Sequence, residues 1–201
     1  MIRVLIAEDQ NMVRGALKVL LDLESDITVV GEALNGTEAV ALARQLRPDV
    51  ALLDVEMPGM NGLEAAATIH TDAPSCTILM LTTFGRPGYL RRAMEAGATG
   101  FLVKDGPVEE LARAIRRAAA GERVIDATLA AAALSTGQNP LTAREQDVLR
   151  AAGDGSSIVV IASRLSLSEG TVRNYLSSAI QKTGSSNRTE ARHFAEAAGW
   201  L

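Results

Sequence analysis

The 201-residue sequence has one cysteine, two histidines, no long apolar run and no excess of positive charge. Cys76 cannot form an internal disulfide, and His70 and His193 stand far apart without cysteine companions, which excludes the common zinc ligand sets. The longest apolar runs, such as VALL and ILML, fall far short of the ~20 residues that a membrane span needs. The opening MIRVLIAEDQ meets acid too early for the apolar core of a secretory signal. A cytoplasmic protein with no inserted segment is expected. The formal net charge of -4 argues against non-specific attraction to nucleic acid over the whole surface. Residues 1–121 carry twelve Lys/Arg against sixteen Asp/Glu, whereas residues 141–201 carry seven against six. Any contact with DNA is thus expected from the back of the chain, as a dimer.

What is present is apolar residue in quantity, 47% of the chain, enough for a buried core and too much for disorder throughout. It comes in five short runs rich in Val, Ile and Leu: 2–7, 27–31, 49–55, 77–82 and 100–104. They hardly alternate, the pattern of strands buried on both faces. Segments of helical period fall between and after them, at 11–24, 36–46, 62–71, 88–97 and 107–120. The pattern is (βα)5. Strands separated by helices cannot pair as hairpins, so an α/β fold with a doubly wound parallel sheet is expected, with right-handed crossovers and the order 2-1-3-4-5. After Gly121 an Ala-rich stretch decays into Ser, Thr, Gly, Gln, Asn and Pro and reads as a linker helix and loop over 122–139. A second, all-α domain of four helices follows over 140–201. Thr142 and Glu145 form a capping box at its start.

In a sheet of that order the strand ends converge on one rim. Glu8 and Asp9 end the first strand, Asp54 the third, Thr82 the fourth and Lys104 the fifth. Clustered carboxylates repel one another and favour a hard divalent cation; Mg²⁺ suits them, with a backbone carbonyl just past Asp54 completing the oxygen set. Asp54 is then an ionised nucleophile for phosphorus, while Lys104 and Thr82 offset charge on the phosphoryl oxygens. Glu56 and Phe84, each two beyond a strand-end residue, are expected to flank the path of a hydrolytic water. In the second domain, 158–184 has the period of a helix-turn-helix. Ala162 is small at the helix crossing, Ser166 sits at the turn, Leu167 and Val172 face inward and Ser168 caps the second helix. Arg173, Asn174 and Ser177 on that helix can reach base edges, and Arg144, Lys182 and Arg188 are placed for phosphates.

The motifs AED (7–9), LLDVEMPGMNG (52–62), LTT (81–83) and FLVKD (101–105) resemble the receiver domain of two-component response regulators. That resemblance implies that Asp54 accepts a phosphoryl group from a sensor histidine kinase. It also implies that Glu8, Asp9, Asp54 and the Glu56 carbonyl hold Mg²⁺, that Lys104 pairs with the phosphoryl group, and that Thr82 and Phe101 form the switch. LTAREQDVL (141–149) with SEGTVRNYLSSAIQKTGSSNRTEA (168–191) resembles the LuxR-type helix-turn-helix domain of NarL/FixJ response regulators. In the first domain Glu8 stands in place of the commoner Asp, and Asp105 where many receivers have Pro. In the second, Ile158, Val159 and Val160 replace a polar, often Lys-containing trio, Ser166 a turn glycine, Thr183 the usual Leu and Tyr175 the common His. AEDQ, LTTF and GTVRNY are similar to DesR-type regulators of lipid desaturation, which implies a membrane thermosensor kinase and a desaturase or transporter promoter. The chain is thus expected to be a transcription regulator, not an enzyme in its own right, that dimerises when phosphorylated and binds promoter DNA. The apolar arc of helix 11–24 is a possible dimer face. Two alternatives stand beside this reading. One is a DNA-binding or interaction protein with a silent receiver. The other is a phosphatase of the haloacid dehalogenase type, which needs a second Asp two residues past the nucleophile, where this chain has Glu56.

Overall fold

The computed structural model describes residues 1–83, 87–104, 108–125, 130, 139–153 and 155–201. The chain divides into two compact units, one built on a sheet and one of helices.

The first unit alternates β1 (Ile2–Ala7), α1 (Asn11–Asp22), β2 (Ile27–Ala33), α2 (Gly36–Leu46), β3 (Val50–Asp54), α3 (Gly62–Asp72), β4 (Thr77–Thr82), α4 (Pro87–Glu95), β5 (Gly100–Val103) and α5 (Val108–Ala119). All strand pairs are parallel, in the order β2-β1-β3-β4-β5, as the spacing of runs and helices implies. All five residues of central β3 are buried, which is why the run does not alternate. On one face Val4, Ile6, Val50, Leu52, Leu79 and Leu81 pack with Leu21 of α1 and Ala112, Ile115 and Ala118 of α5. Each fully buried Leu or Ile contributes about 1.5–3 kcal/mol. Side-chain caps fix where helices begin: the Asn35 side chain accepts from the Glu38 N–H, and Asn61 and Glu64 form a reciprocal capping box that starts α3.

One expectation is corrected. Val124 and Ile125, placed at the head of a linker helix by composition, form a sixth strand, β6, parallel to β5. A β-branched pair beside the otherwise open edge of β5 supplies partners for its backbone, and this outweighs the helical bias of the alanines beyond. The sheet unit therefore reaches Ile125 and does not stop at Gly121. Residues 126–129 and 131–138 of the expected linker lie outside the described residues.

The second unit holds four described helices: α6 (Ala143–Ala151), α7 (Ile158–Leu165), α8 (Glu169–Thr183) and α9 (Arg188–Ala197). Val148, Leu149, Ile161, Val172, Ala179, Ala191, Ala195 and Trp200 form their common core. The turn between α7 and α8 is closed by Ser166 at φ 54°, so a residue other than glycine carries the left-handed backbone there. Ser168 then caps α8 by accepting from the Thr171 N–H at 3.1 Å.

Candidate functional site

Parallel strands in this order deliver their carboxyl ends to one rim, and the structure brings the residues expected there together. Glu8, just past β1, is 1% exposed and Asp54, the last residue of β3, is 4% exposed. Asp9 is solvent-facing, Thr82 is buried at the end of β4, and Lys104 follows β5 with its N–H donating to the Thr82 carbonyl at 2.8 Å. Glu8, Asp9 and Asp54 each present a carboxylate oxygen within 4.8 Å of the others. Lys104 Nζ lies 2.6 Å from Glu8 Oε2 and 3.0 Å from Asp54 Oδ2, so it ties two buried acids from different strands.

Burial is the largest influence on Asp54 and raises its pKa. The Lys104 ammonium and a hydrogen bond from the Glu56 backbone pull the other way, and the Glu8 charge adds to the rise. For Lys104, burial favours the neutral amine, but the two carboxylates outweigh it and leave the pKa raised. The rim is thus a charged nest in which Lys104 does not fully offset the burial of Asp54. Its donors are all carboxylate oxygens on the acid side, one of them open to solvent through Asp9, and that set fits a small hard divalent cation. Phe101 is wholly buried on β5, in register with Met80 of β4. Glu56 is exposed. Phe84 and Asp105 lie outside the described residues.

Gly62 explains how the β3–α3 loop closes under the nucleophile. A Cβ there would stand 1.9 Å from the Asp54 carbonyl oxygen, and the Gly62 N–H donates to the Val55 carbonyl at 3.1 Å. Gly62→Ala must push either the loop or the end of β3 aside. The expected outcome is a loss of about 1–3 kcal/mol in thermal or urea unfolding, together with slower labelling of Asp54 by acetyl phosphate, followed by intact mass.

In the second unit Arg173, Asn174 and Ser177 are exposed on α8. Of the three residues expected at phosphates, Arg144 is exposed with Asp147 3.7 Å away, while Lys182 and Arg188 have close intramolecular partners. Lys182 donates to both oxygens of buried Glu145 at 2.8 and 2.9 Å, and Arg188 donates to the Ser156 carbonyl at 3.0 Å. Sequence reasoning identified Glu145 only as a cap and missed its second role as the anchor of α8 on α6. The lysine bridge to Glu8 was missed too. Its one visible signal was the extra methylene of Glu where Asp is commoner, which lets the carboxylate reach across to β5's end. Val159 and Val160, in the first turn of α7, are exposed and offer no charge there.

An acid cluster with a lysine at the rim of a doubly wound sheet, in one chain with a helix-turn-helix unit, defines the response regulators. The comparisons agree. Residues 4–116 match the response regulator receiver domain, and residues 139–195 match the bacterial regulatory proteins of the luxR family. Over the full length of both chains the protein is 49% identical to the uncharacterised transcriptional regulatory protein YvfU and 46% identical to the transcriptional regulatory protein DesR, both of Bacillus subtilis. It is 37% identical to the nitrate/nitrite response regulator NarL of Escherichia coli, over 94% of this chain and 92% of that one. Among solved structures, the response regulator ChrA of a heme-sensing two-component system is 34% identical with a TM-score of 0.60, covering 97% of this chain and 96% of that one. The RcsB–DNA complex, at 24% identity and TM-score 0.70 over 98% of both chains, shares the fold. The chain belongs to the NarL/FixJ family of response regulators and is a DNA-binding transcriptional regulator.

Proposed function

We propose that Asp54 is the phosphoacceptor of a sensor histidine kinase, and that the modification promotes dimerisation and promoter binding. The observation that carries this is the ion pair of Lys104 with both Glu8 and Asp54 at the strand-end rim. An Asp54 oxygen attacks phosphorus in line, and the phosphorus–nitrogen bond of the kinase phosphohistidine breaks with its electron pair going to the imidazole. Lys104, already beside Asp54, follows the charge onto the phosphoryl oxygens, and the Thr82 hydroxyl turns toward the same oxygens. Space left by Thr82 admits the Phe101 ring, which couples the charge event to the far side of β4 and β5. Glu8, Asp9, Asp54 and the Glu56 carbonyl would hold Mg²⁺, which would supply positive charge to offset that on the phosphoryl oxygens. The silent-receiver alternative leaves this paired, buried acid set without a role.

In the second unit α8 enters the major groove, with Arg173, Asn174 and Ser177 toward base edges. Lys182 and Arg188 meet phosphates only with the atoms their internal partners leave over. As a regulator that meets its promoter directly, the protein works in the cytoplasm. Among the described residues no helix is long and apolar enough to cross a membrane. The resemblance to DesR-type regulators makes a membrane thermosensor the first kinase to try. The domain plan is a receiver from residue 1 through β6, a linker to 139 and a DNA-binding domain over 140–201.

For dimerisation, α1 offers a stripe that the core does not use. Met12, Val19 and Leu23 are 87%, 63% and 77% exposed, while Leu21 on the opposite side is fully buried. Sedimentation with beryllofluoride and Mg²⁺ tests the function: the wild-type chain shifts to dimer and retains DNA, and Asp54→Asn does neither. Met12→Asp with Leu23→Asp is expected to leave the beryllofluoride-treated chain a monomer, because two charges at an apolar face oppose association. An unchanged dimer removes α1 as the interface.

A further inference from the structure

The first turn of the reading helix sets an acid against its arginine. Glu169 and Arg173 lie one turn apart on α8, with Arg173 Nη2 donating to Glu169 Oε2 at 3.0 Å and side chains 59% and 47% exposed for Arg and Glu. An exposed pair of this kind contributes only a few tenths of a kcal/mol to a helix, so contact with DNA can open it. The helix does not need Glu169 as a cap, because Ser168 already accepts from the Thr171 N–H. A carboxylate in that turn is repelled by the phosphates of every sequence, and two of the unit's cations are engaged by other partners. Lys182 is bound to Glu145, Arg188 to the Ser156 carbonyl, and Val159 and Val160 bring no charge to the first turn of α7.

The repulsion is offset where the carboxylate accepts a hydrogen bond from a base. In the major groove the donors are the amino groups of cytosine and adenine. Adenine sets its N7 acceptor beside the amino group and so opposes a carboxylate, whereas cytosine presents no acceptor on that edge. Four residues of helix rise span about 6 Å, within the length of two base-pair steps of about 3.4 Å each.

We propose that Glu169 is a specificity-determining residue of this regulator: it requires a cytosine within two base pairs of the guanine that Arg173 reads, and it penalises DNA that lacks one. The inference rests on the reading of α8 as the helix in the major groove. The pair then works as a latch. Off the site, Glu169 holds Arg173 and repels the backbone; on the site, each partner exchanges the other for its own base.

The test is selection from a pool of random-sequence duplexes by the full chain with beryllofluoride and Mg²⁺, for wild type, Glu169→Gln, Glu169→Ala and Arg173→Ala. Wild type is expected to select a guanine and a nearby cytosine. Both Glu169 variants lose roughly tenfold in preference at the cytosine and keep the guanine. They also hold the unselected pool several-fold more tightly, with a dependence of log K on log salt steeper by up to about one unit. Arg173→Ala loses the guanine. Unchanged base preference and salt slope in Glu169→Gln, with the guanine lost in Arg173→Ala, overturns the role of Glu169 and leaves the reading helix intact. A wild-type pool with no base preference removes the reading helix and the inference together.

Discussion

Lys104→Met is expected to lower the stability of the sheet unit by about 3–5 kcal/mol in the absence of divalent cations, the usual cost of stranding buried charge. The lysine is the cation shared by Glu8 and Asp54, both almost fully buried, and methionine matches its length without the charge. The loss has a pH signature. Asp54 already has a raised pKa through burial, and without Lys104 the rise becomes larger. A carboxyl whose folded pKa lies above its unfolded value keeps its proton longer in the folded state, so stability falls as pH rises through that interval. The gap between variant and wild type is therefore widest at neutral and alkaline pH and narrows in acid. Adding Mg²⁺ narrows it as well, because a cation bound only by the folded chain stabilises by mass action. The variant should gain more from Mg²⁺ than wild type, in which the ion must first displace Lys104 from Glu8. Urea titrations at several pH values, with EDTA or with Mg²⁺, measure all of this. Equal midpoints in EDTA would show that the bridge carries no weight.

Glu145→Ala is expected to remove on the order of 3 kcal/mol from the helical unit and to weaken DNA binding. Glu145 is buried, accepts from Ser178 Oγ at 2.6 Å and from Lys182, and completes the capping box with the Thr142 N–H at 2.7 Å. Burial alone would raise its pKa, but the bonds from Lys182, Ser178 and Thr142 outweigh that and hold it at about 2. A depressed carboxyl contributes stability that is complete above the ordinary glutamate range and is lost as pH falls toward the folded value. The difference between wild type and variant should stay constant from neutral pH down to about 5 and close between there and about 2. DNA binding falls because Ser178 and Lys182 both stand on α8, so the same carboxylate orients the reading helix on α6. Glu145→Gln, which keeps the cap and Ser178 but loses the charge pairing, is expected to fall between the two. A difference unaffected by acid would place the loss in packing alone.

Much of this arrangement is legible in residue order. The five strands and their parallel order follow from short, non-alternating Val/Ile/Leu runs separated by helical periods, and the rim follows from that order. The capping residues Thr142 and Ser168 and the inward Val172 follow from local rules. β6 is not legible, because two β-branched residues before an alanine-rich stretch have no local preference strong enough to show; the edge of β5 decides them. The partners of charged side chains are not legible either. Lys104 on Glu8, Arg116 forked onto Asp26 across α5 and the α1–β2 turn, and Lys182 on Glu145 are all contacts between elements distant in sequence. For the DNA face this matters most, since residue type alone offers Lys182 and Arg188 as phosphate contacts while tertiary structure gives both of them other partners.

The most direct test of the central claim is to locate the phosphoryl group. The full chain is treated with acetyl phosphate and Mg²⁺, reduced with borohydride, which converts an aspartyl phosphate to homoserine, and sequenced by tandem mass spectrometry. The account requires homoserine at position 54 alone, and none when EDTA replaces Mg²⁺. Homoserine at position 9 or elsewhere, or none at all in the presence of Mg²⁺, contradicts it.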